Sequence, residues 1–315
     1  VLHRSKKQWP VAQVCITYIQ KADMLLHLNN YLRCKSSKMT DYSALLPLSS
    51  KKPFTQFVVS MLLILIIAIS GLLITLLTAW LIYGIAPGEA DIWQVDQVAG
   101  NINYFKYLQA FQHLSMFLLP ALAIGYFMKG DAWSYLGLKN KPRLASALLS
   151  ILFILFIIPL NTYLSWLNAE LDLPAWLGGL EKWISEKELQ SERLTLILLN
   201  AGSPGALLIN IAVIALLPAI GEEFLYRGVL QEIFSRWLRS GTMAVLLTAL
   251  LFSASHLQFY GFLPRLVLGL GFGYIYLWTG NIWLPVLAHF INNLIPVILS
   301  YFMGWENVNN TMDEF

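Results

Sequence analysis

Charged side chains are scarce in this sequence. Asp, Glu, Lys and Arg together make up 12% of the 315 residues, whereas soluble domains carry about 25%. Hydrophobic residues make up 57%, and the mean hydropathy is +0.61. This composition places the chain in a lipid bilayer rather than in water. The net charge is only +3, and the basic residues are scattered along the chain rather than clustered. Both features argue against a nucleic-acid-binding surface.

Cysteine is almost absent, since Cys15 and Cys34 are the only two and both precede the first hydrophobic segment. Neither a disulfide framework nor a cysteine-based metal site can be built in the hydrophobic body. Three catalytic signatures are also missing: the HExxH zinc motif, paired aspartates within the hydrophobic segments, and the GxSxG nucleophile elbow. The sequence also lacks the internal repeats of many transporters.

Several hydrophobic stretches are long enough to span a membrane, which takes about 20 mostly apolar residues. The stretch over about 172–200 instead mixes Trp176 and Trp183 with charges, a pattern typical of an amphipathic helix in the membrane interface. We therefore predict an all-α fold, a polytopic membrane helical bundle of about seven spans plus an interfacial amphipathic helix. The predicted spans are 57–83, 106–128, 144–167, 206–230, 242–260, 263–280 and 282–303.

Basic residues lie at alternate ends of the predicted spans, and cytoplasmic loops are the ones that retain them. Arg265 is the exception, whereas the opposite ends are rich in Asp and Glu. We predict an integral protein of a bacterial plasma (inner) membrane, and the charge pattern predicts a cytoplasmic N-terminus, a C-terminus outside and an odd number of spans. The basic residues in question are Lys38, Lys51, Lys52, Lys129, Lys139, Lys141, Arg143, Arg236 and Arg239.

The chain divides into a polar N-terminal tail over 1–50, N-terminal spans with the interfacial helix over 51–200, and the last four spans over 201–305. Residues 1–38 lack a sustained apolar run, and Met39 opens a short polar lead into the first span. Met39 is thus a candidate translation start, with 1–38 untranslated. A basic cytoplasmic tail is the alternative.

Ionisable groups inside hydrophobic segments mark candidate functional sites, because each costs about 2.5 to 3.5 kcal/mol to insert at bilayer depth. The fourth span carries Glu222, Glu223 and Arg227 in GEEFLYRG. Positions i and i+4 share a helix face, so Glu223 is predicted to pair with Arg227. Glu222 is rotated about 100° away and lacks a cation on its own helix, which makes it a candidate general base. A purely structural ion pair is the alternative.

Polar residues also share a helix face in the fifth and seventh spans. In FSASH, Phe252 and His256 are four residues apart, and in HFINN so are His289 and Asn293. An imidazole and a carboxamide aligned in this way can donate two hydrogen bonds to one oxyanion. Taken singly, each motif is also compatible with a core histidine or with hydrogen bonding between helices. With the carboxylates they supply the groups that hydrolyse an amide with water.

Within the sixth span, Gly269 and Gly273 form a pair of small residues four positions apart. Such a pair lets another helix approach closely. The sequence predicts a helix-packing contact there rather than a dinucleotide loop, because no strand precedes it and the glycine spacing differs.

The patterns EExxxR, FxxxH and HxxxN resemble the CAAX protease and bacteriocin-processing family, also called CPBP or Abi, which includes the type II CAAX prenyl endopeptidases. The resemblance covers about residues 200–300, and the stretch Ser134–Leu138 is similar to the lead-in of bacterial members. It implies a catalytic domain over 201–305 with a cavity in the last four helices. By similarity, water activation falls to Glu222 with His256, support of the site to Glu223 with Arg227, and oxyanion stabilisation to His289 with Asn293.

The resemblance implies an intramembrane endopeptidase that cleaves membrane-associated peptides or proteins, prenylated or not, with water activated by Glu and His. The implied partners are that substrate and the lipid bilayer. The family has been described both as metal-dependent and as metal-free glutamate proteases. We favour the metal-free form, with no cofactor required. If zinc is bound, its ligands are Glu222, His256 and His289.

Two other classes of function stay open at this point. One is a non-catalytic bacteriocin-immunity or binding membrane protein that keeps the fold. The other is an ion-coupled transporter that uses Glu222 and His256 as a proton relay.

Overall fold

The computed structural model describes residues 48–86, 88–89, 100–170 and 173–303. All of them belong to one unit, Leu46–Phe315. The predictions about Met39 and about nearly all of the polar tail fall outside the described residues.

Every regular element in the described ranges is helical, which confirms the predicted all-α class. Two helices contain π-helical turns, at Leu114–Leu118 in α2 and at Ile211–Leu216 and Phe224–Gln231 in α6. A short 3-10 turn, Ala175–Leu177, precedes α5. The helices are α1 Pro53–Tyr83, α2 Ile102–Lys129, α3 Ala132–Tyr135, α4 Leu144–Ala169, α5 Gly178–Leu199, α6 Pro204–Leu238, α7 Gly241–Ala254, α8 Phe262–Thr279 and α9 Trp283–Met303.

Six of these helices are long and apolar enough to cross a membrane, namely α1, α2, α4, α6, α8 and α9. The predicted polytopic membrane bundle is therefore confirmed. The predicted fifth span, 242–260, is present as α7, which has 14 residues. At 1.5 Å per residue α7 is about 21 Å long, short of the bilayer core of about 30 Å.

The chain leaves the helical path after Ala254 for a local reason. Ser253 Oγ donates to Phe262 O at 2.6 Å, and Ser255 Oγ donates to Phe252 O at 2.8 Å. Such side-chain bonds to nearby carbonyls compete with helix continuation. Leu257 then adopts a positive φ of 54°, and the segment 255–261 runs as a connection to α8.

The predicted interfacial stretch contains helix α5, which is not among the six candidate spans. Trp176 and Trp183 are 80% and 56% exposed. Exposed tryptophans beside charged residues are typical of a helix at headgroup depth.

Helix α6 is the central element of the bundle. It begins after Ser203, whose hydroxyl accepts a hydrogen bond from Ala206 N, and Pro204 occupies its first turn. All residues from 221 to 231 are buried. A helix that is buried on every side is enclosed by other elements, and this segment of α6 contacts α2, α7, α8 and α9.

The two glycines of α8 provide the close helix contact that the sequence predicts. A Cβ added to Gly269 would lie 3.2 Å from Ala249 Cα, and one added to Gly273 would lie 2.8 Å from Val245 Cγ1. Helices α7 and α8 therefore pack almost backbone to backbone, and both glycine carbonyls face α6.

Candidate active site

Glu223 lies at the centre of a buried cluster. Its Oε1 accepts a hydrogen bond from Arg227 Nη1 at 2.9 Å, and His289 Nδ1 lies 2.8 Å from the same oxygen. Glu223 and Arg227 are 0% exposed and His289 is 5% exposed. The i,i+4 spacing accounts for the first contact, and the second joins α6 to α9.

The Arg227 guanidinium is enclosed by a backbone carbonyl and aromatic rings. Its Nη2 donates to Gly269 O at 3.0 Å, and its Cζ lies 4.6 Å from the centroid of the Phe252 ring. The His289 ring stacks on Phe272 with centroids 5.0 Å apart. Cation–π and ring contacts of this kind add to the ion pair. Glu223, Arg227 and His289 therefore hold fixed positions.

Glu222 faces a different set of groups. Its Oε1 lies 3.7 Å from His113 Nδ1, and its Oε2 lies 4.0 Å from His256 Nε2. Both distances exceed that of a hydrogen bond. Glu222 is 4% exposed, and Oε2 has no hydrogen-bond partner among the described residues. A buried carboxylate oxygen without a partner is costly and calls for a functional explanation.

His256 lies just beyond the end of α7, in the segment 255–261. Its Nδ1 lies 2.8 Å from Phe252 O, so this nitrogen carries the proton and Nε2 is left with a lone pair toward Glu222. In its neutral form the ring therefore presents a proton acceptor to Glu222.

Asn293 lies one turn beyond His289 on α9 and is partly buried. Its Oδ1 accepts a hydrogen bond from Asn292 Nδ2 at 3.2 Å. Because His289 Nδ1 is engaged by Glu223, only His289 Nε2 is left to act with Asn293 on an oxyanion. That shared role stays a prediction.

His113, on α2, is a residue of this site that the sequence reasoning missed. It is the only histidine in the predicted span 106–128, and the presumption that ionisable groups within spans are functional would have selected it. The sequence alone could not place it beside Glu222, because no spacing rule relates the second span to the fourth.

The three residues named above as ligands if zinc is bound, Glu222, His256 and His289, do not fit a zinc site in this arrangement. Glu222 faces His256, whereas His289 Nδ1 is engaged by Glu223. Among the described residues, no group of three or more His, Cys, Asp and Glu side chains converges in a way that could hold a metal ion.

Comparison with known proteins identifies the segment that carries this cluster. Residues 204–295 match the family described as type II CAAX prenyl endopeptidase Rce1-like. An uncharacterized protein, YpbD of Bacillus subtilis (strain 168), is 35% identical over 86 residues, which cover 26% of this chain and 41% of the relative. No solved structure matches the chain significantly. The comparison confirms, over 204–295, the resemblance to type II CAAX prenyl endopeptidases that the three motifs predict.

Proposed function

We propose that this protein is an intramembrane endopeptidase in which Glu222 is the general base that activates water for peptide hydrolysis. The proposal rests mainly on one observation: the unpartnered Oε2 of the buried Glu222 carboxylate lies 4.0 Å from Nε2 of His256, whose Nδ1 faces Phe252 O. The similarity of residues 204–295 to CAAX prenyl endopeptidases supports it.

The separation of these two acceptors suits a water molecule. A water that donates one hydrogen to each acceptor, with each contact about 2.8 Å long and an angle between them of about 90° to 105°, spans acceptors about 4.0 to 4.4 Å apart. Glu222 Oε2 and His256 Nε2 meet this requirement. A water between them has both hydrogens bound and a lone pair free to attack a carbonyl carbon.

Hydrolysis then proceeds in two proton-balanced steps. Glu222 takes one proton as the water oxygen bonds to the carbonyl carbon of the substrate, which leaves a tetrahedral oxyanion. The donors proposed for that oxyanion are Asn293 Nδ2 and the Nε2–H of His289 as an imidazolium, whose Nδ1–H donates to Glu223. The intermediate collapses when the amide nitrogen receives the proton from Glu222 and departs as an amine.

Glu223 differs from Glu222 in its contacts. Its Oε1 is engaged by Arg227 and His289, and the residue is fully buried, although its Oε2, like that of Glu222, has no hydrogen-bond partner among the described residues. A carboxylate held in a buried ion pair is fixed in place by its partners. We propose that Glu223 keeps Arg227 in place and fixes the orientation of His289.

The proposed substrate is a membrane-associated peptide or protein, with or without a prenyl group. The cluster lies within spanning helices, so a substrate must enter from the bilayer or from its cytoplasmic surface. We propose no cofactor. We also propose that the N-terminus is cytoplasmic and the C-terminus outside, which requires α7 and the segment 255–261 together to reach the opposite side.

The central test is the variant Glu222→Gln, which keeps the shape of the side chain and removes its basicity. Two peptides that end in Cys-aliphatic-aliphatic-X, one farnesylated and one unmodified, are incubated with purified protein in proteoliposomes. Release of the C-terminal tripeptide is then measured by mass spectrometry. Because a general base contributes about 10²- to 10⁴-fold, we expect Glu222→Gln to lose at least about 100-fold in rate.

The matched control is Glu232→Gln on the same helix, where Glu232 Oε1 accepts a hydrogen bond from Tyr276 and lies outside the cluster. It should cleave at the wild-type rate. Full activity of Glu222→Gln would rule out the base role. If cells keep a phenotype of this protein after both Glu222 and His256 are replaced, a binding or immunity protein is the correct interpretation. Proton-coupled uptake that is lost with Glu222→Gln would instead indicate a transporter.

The substrate can be sought without guessing its sequence. Membrane-fraction peptides from a strain that lacks the protein are compared with those from strains that express the wild type or Glu222→Gln. A substrate accumulates uncleaved in the first and third strains only. A cleavage product that is also present with Glu222→Gln arises from another enzyme.

A further inference from the structure

We infer that His113 is a positioning residue of the active site, whose Nδ1–H holds Oε1 of Glu222 so that Oε2 is presented to water. The inference rests on the proposed function and deepens it. His113 lies on α2, outside the segment 204–295 that matches the endopeptidase family.

The first support is the contact itself. His113 Nδ1 lies 3.7 Å from Glu222 Oε1, and it is a buried nitrogen without a hydrogen-bond partner among the described residues. The imidazole is stacked on Phe117, with centroids 5.5 Å apart and planes 30° apart. A buried, unsatisfied nitrogen that faces a carboxylate oxygen gains a charge-assisted hydrogen bond when a small rotation brings the two together.

The second support is the backbone on both sides of the contact. The π-helical turn Leu114–Leu118 begins directly after His113, and the turn Phe224–Gln231 begins directly after Glu223. Single π-turns occur frequently at functional sites. Here each turn immediately follows a polar member of the cluster.

The third support is the close approach of α2 to α6. A Cβ added to Gly221 would lie 3.2 Å from Phe117 Cβ and 3.4 Å from the backbone nitrogen of Leu118. The π-turn of α2 therefore packs directly on the residue before Glu222. A side chain at 221 would crowd this approach, which brings the imidazole to the carboxylate.

The two oxygens of Glu222 thus have separate tasks. Oε1 faces a donor on α2, and Oε2 faces an acceptor, His256, with room for water between them. A donor on Oε1 stops the carboxylate from rotating and directs the basic lone pairs of Oε2 at the water. Misplacement by about 1 Å costs about 100-fold in rate when geometry is critical.

The test compares two substitutions of His113 in the peptide-cleavage assay. His113→Phe keeps a ring against Phe117 and removes the donor, whereas His113→Asn places an amide nitrogen near the position of Nδ1. We expect His113→Phe to lower kcat by about 10- to 100-fold with KM unchanged. We expect His113→Asn to stay within a few fold of wild type. The control, Gln112→Ala, changes the exposed neighbour of His113 and should have no effect.

A double variant separates positioning from a general effect on structure. If His113 acts through Glu222, His113→Phe has no further effect on the residual rate of Glu222→Gln. An unchanged kcat in His113→Phe, with Glu222→Gln inactive, would overturn the role of His113 and leave the proposed function intact. A loss in His113→Asn as large as in His113→Phe would also overturn it. A wild-type rate in Glu222→Gln overturns the proposed function and this inference with it.

Discussion

Glu222 and Glu223 are adjacent in the sequence and buried to a similar degree, yet their surroundings are opposite. Glu223 has an ion-pair partner on its own helix and an imidazole on α9. Glu222 faces two imidazoles, both beyond hydrogen-bond distance. The carboxylate in the ion pair contributes to stability, and the one outside any such pair is available for chemistry.

The two residues should therefore respond differently to the same substitution. Glu223→Gln leaves the Arg227 charge buried without its partner, and removal of one partner from a buried ion pair costs about 3 to 5 kcal/mol. Glu222→Gln removes a buried charge that has no ion-pair partner on its own helix and keeps an oxygen that can accept from His113, so its stability should equal or exceed that of wild type. Thermal unfolding in detergent micelles measures both. A fall in the unfolding temperature of Glu222→Gln as large as that of Glu223→Gln would contradict this division.

The sequence predicts this division of roles, because the i,i+4 rule assigns Glu223 to Arg227. It does not predict that His289 contacts Glu223, since periodicity within α9 gives no information about which residue of α6 lies opposite. His113 was missed for the same reason. Within one helix the sequence specifies which residues share a face, whereas contacts between helices depend on how the helices pack.

At the level of elements, the contact between α7 and α8 depends on the absence of side chains. Gly269→Ala would place a methyl group 3.2 Å from the Ala249 backbone and from the Phe252 ring. Backbone cannot move aside as a flexible side chain can, so we expect a loss of about 1 to 3 kcal/mol in stability from overpacking. Unfolding in detergent is the measurement. The matched control, Gly179→Ala in α5, has no atom within 4 Å of the added Cβ and should be neutral or slightly stabilising.

The side-chain amide of Asn168 holds the connection between α7 and α8 at two points. Asn168, at the end of α4, donates to Phe259 O and accepts from Leu263 N, each at 2.9 Å. Asn168→Leu leaves both backbone groups unpaired, each at a cost of about 1 to 3 kcal/mol if they stay buried. We expect faster hydrogen exchange over 255–261 and a lower cleavage rate, because this segment carries His256.

The control for the Asn168 variant is Asn161→Leu, two turns earlier on α4. Asn161 Oδ1 has no hydrogen-bond partner among the described residues, so its loss should leave exchange over 255–261 unchanged. Equal hydrogen exchange over 255–261 in Asn168→Leu and wild type would show that the Asn168 amide does not hold this segment.

The sequence predicts which spanning helices exist, but it does not predict where α7 ends or where the π-turns lie. Hydropathy indicates each of the spanning helices because a bilayer demands about 20 apolar residues. The stop at Ala254 depends on Ser253 and Ser255 bonding to nearby carbonyls, and serine is common inside membrane helices as well. The π-turns have no periodic signature in the sequence, because a single wide turn leaves the surrounding pattern unchanged.

For the molecule as a whole, the side of the membrane on which each loop lies stays a prediction. Single cysteines placed at Lys141 and at Glu186, in a background without Cys15 and Cys34, can be labelled with a membrane-impermeant maleimide in intact cells. The charge pattern places residue 141 in the cytoplasm and residue 186 outside. We expect labelling at 186 alone, and labelling at 141 alone would reverse the proposed orientation.

The family match covers only 204–295. Regions before it nevertheless pack against the helices of that segment. Trp283 Nε1 donates to Leu138 O at 3.0 Å, and Asn281 Nδ2 donates to Asn140 O at 3.1 Å. A Cβ added to Gly228 would lie 2.6 Å from Leu136 Cδ2. The stretch Ser134–Leu138, which the sequence marks as similar to bacterial family members, thus supports α6 and the start of α9.

The carbonyls of Gly269 and Gly273 restrict how a substrate could reach Glu222. Arg227 donates to the first and Gln231 to the second, each at 3.0 Å and each across 42 residues of chain. Sliding α8 along α6 would break both bonds and take these acceptors away from two buried donors. These two hydrogen bonds therefore fix the position of α8 along α6. We expect admission to involve movement of α2 or of the segment 255–261, whose contacts with Glu222 are longer than a hydrogen bond.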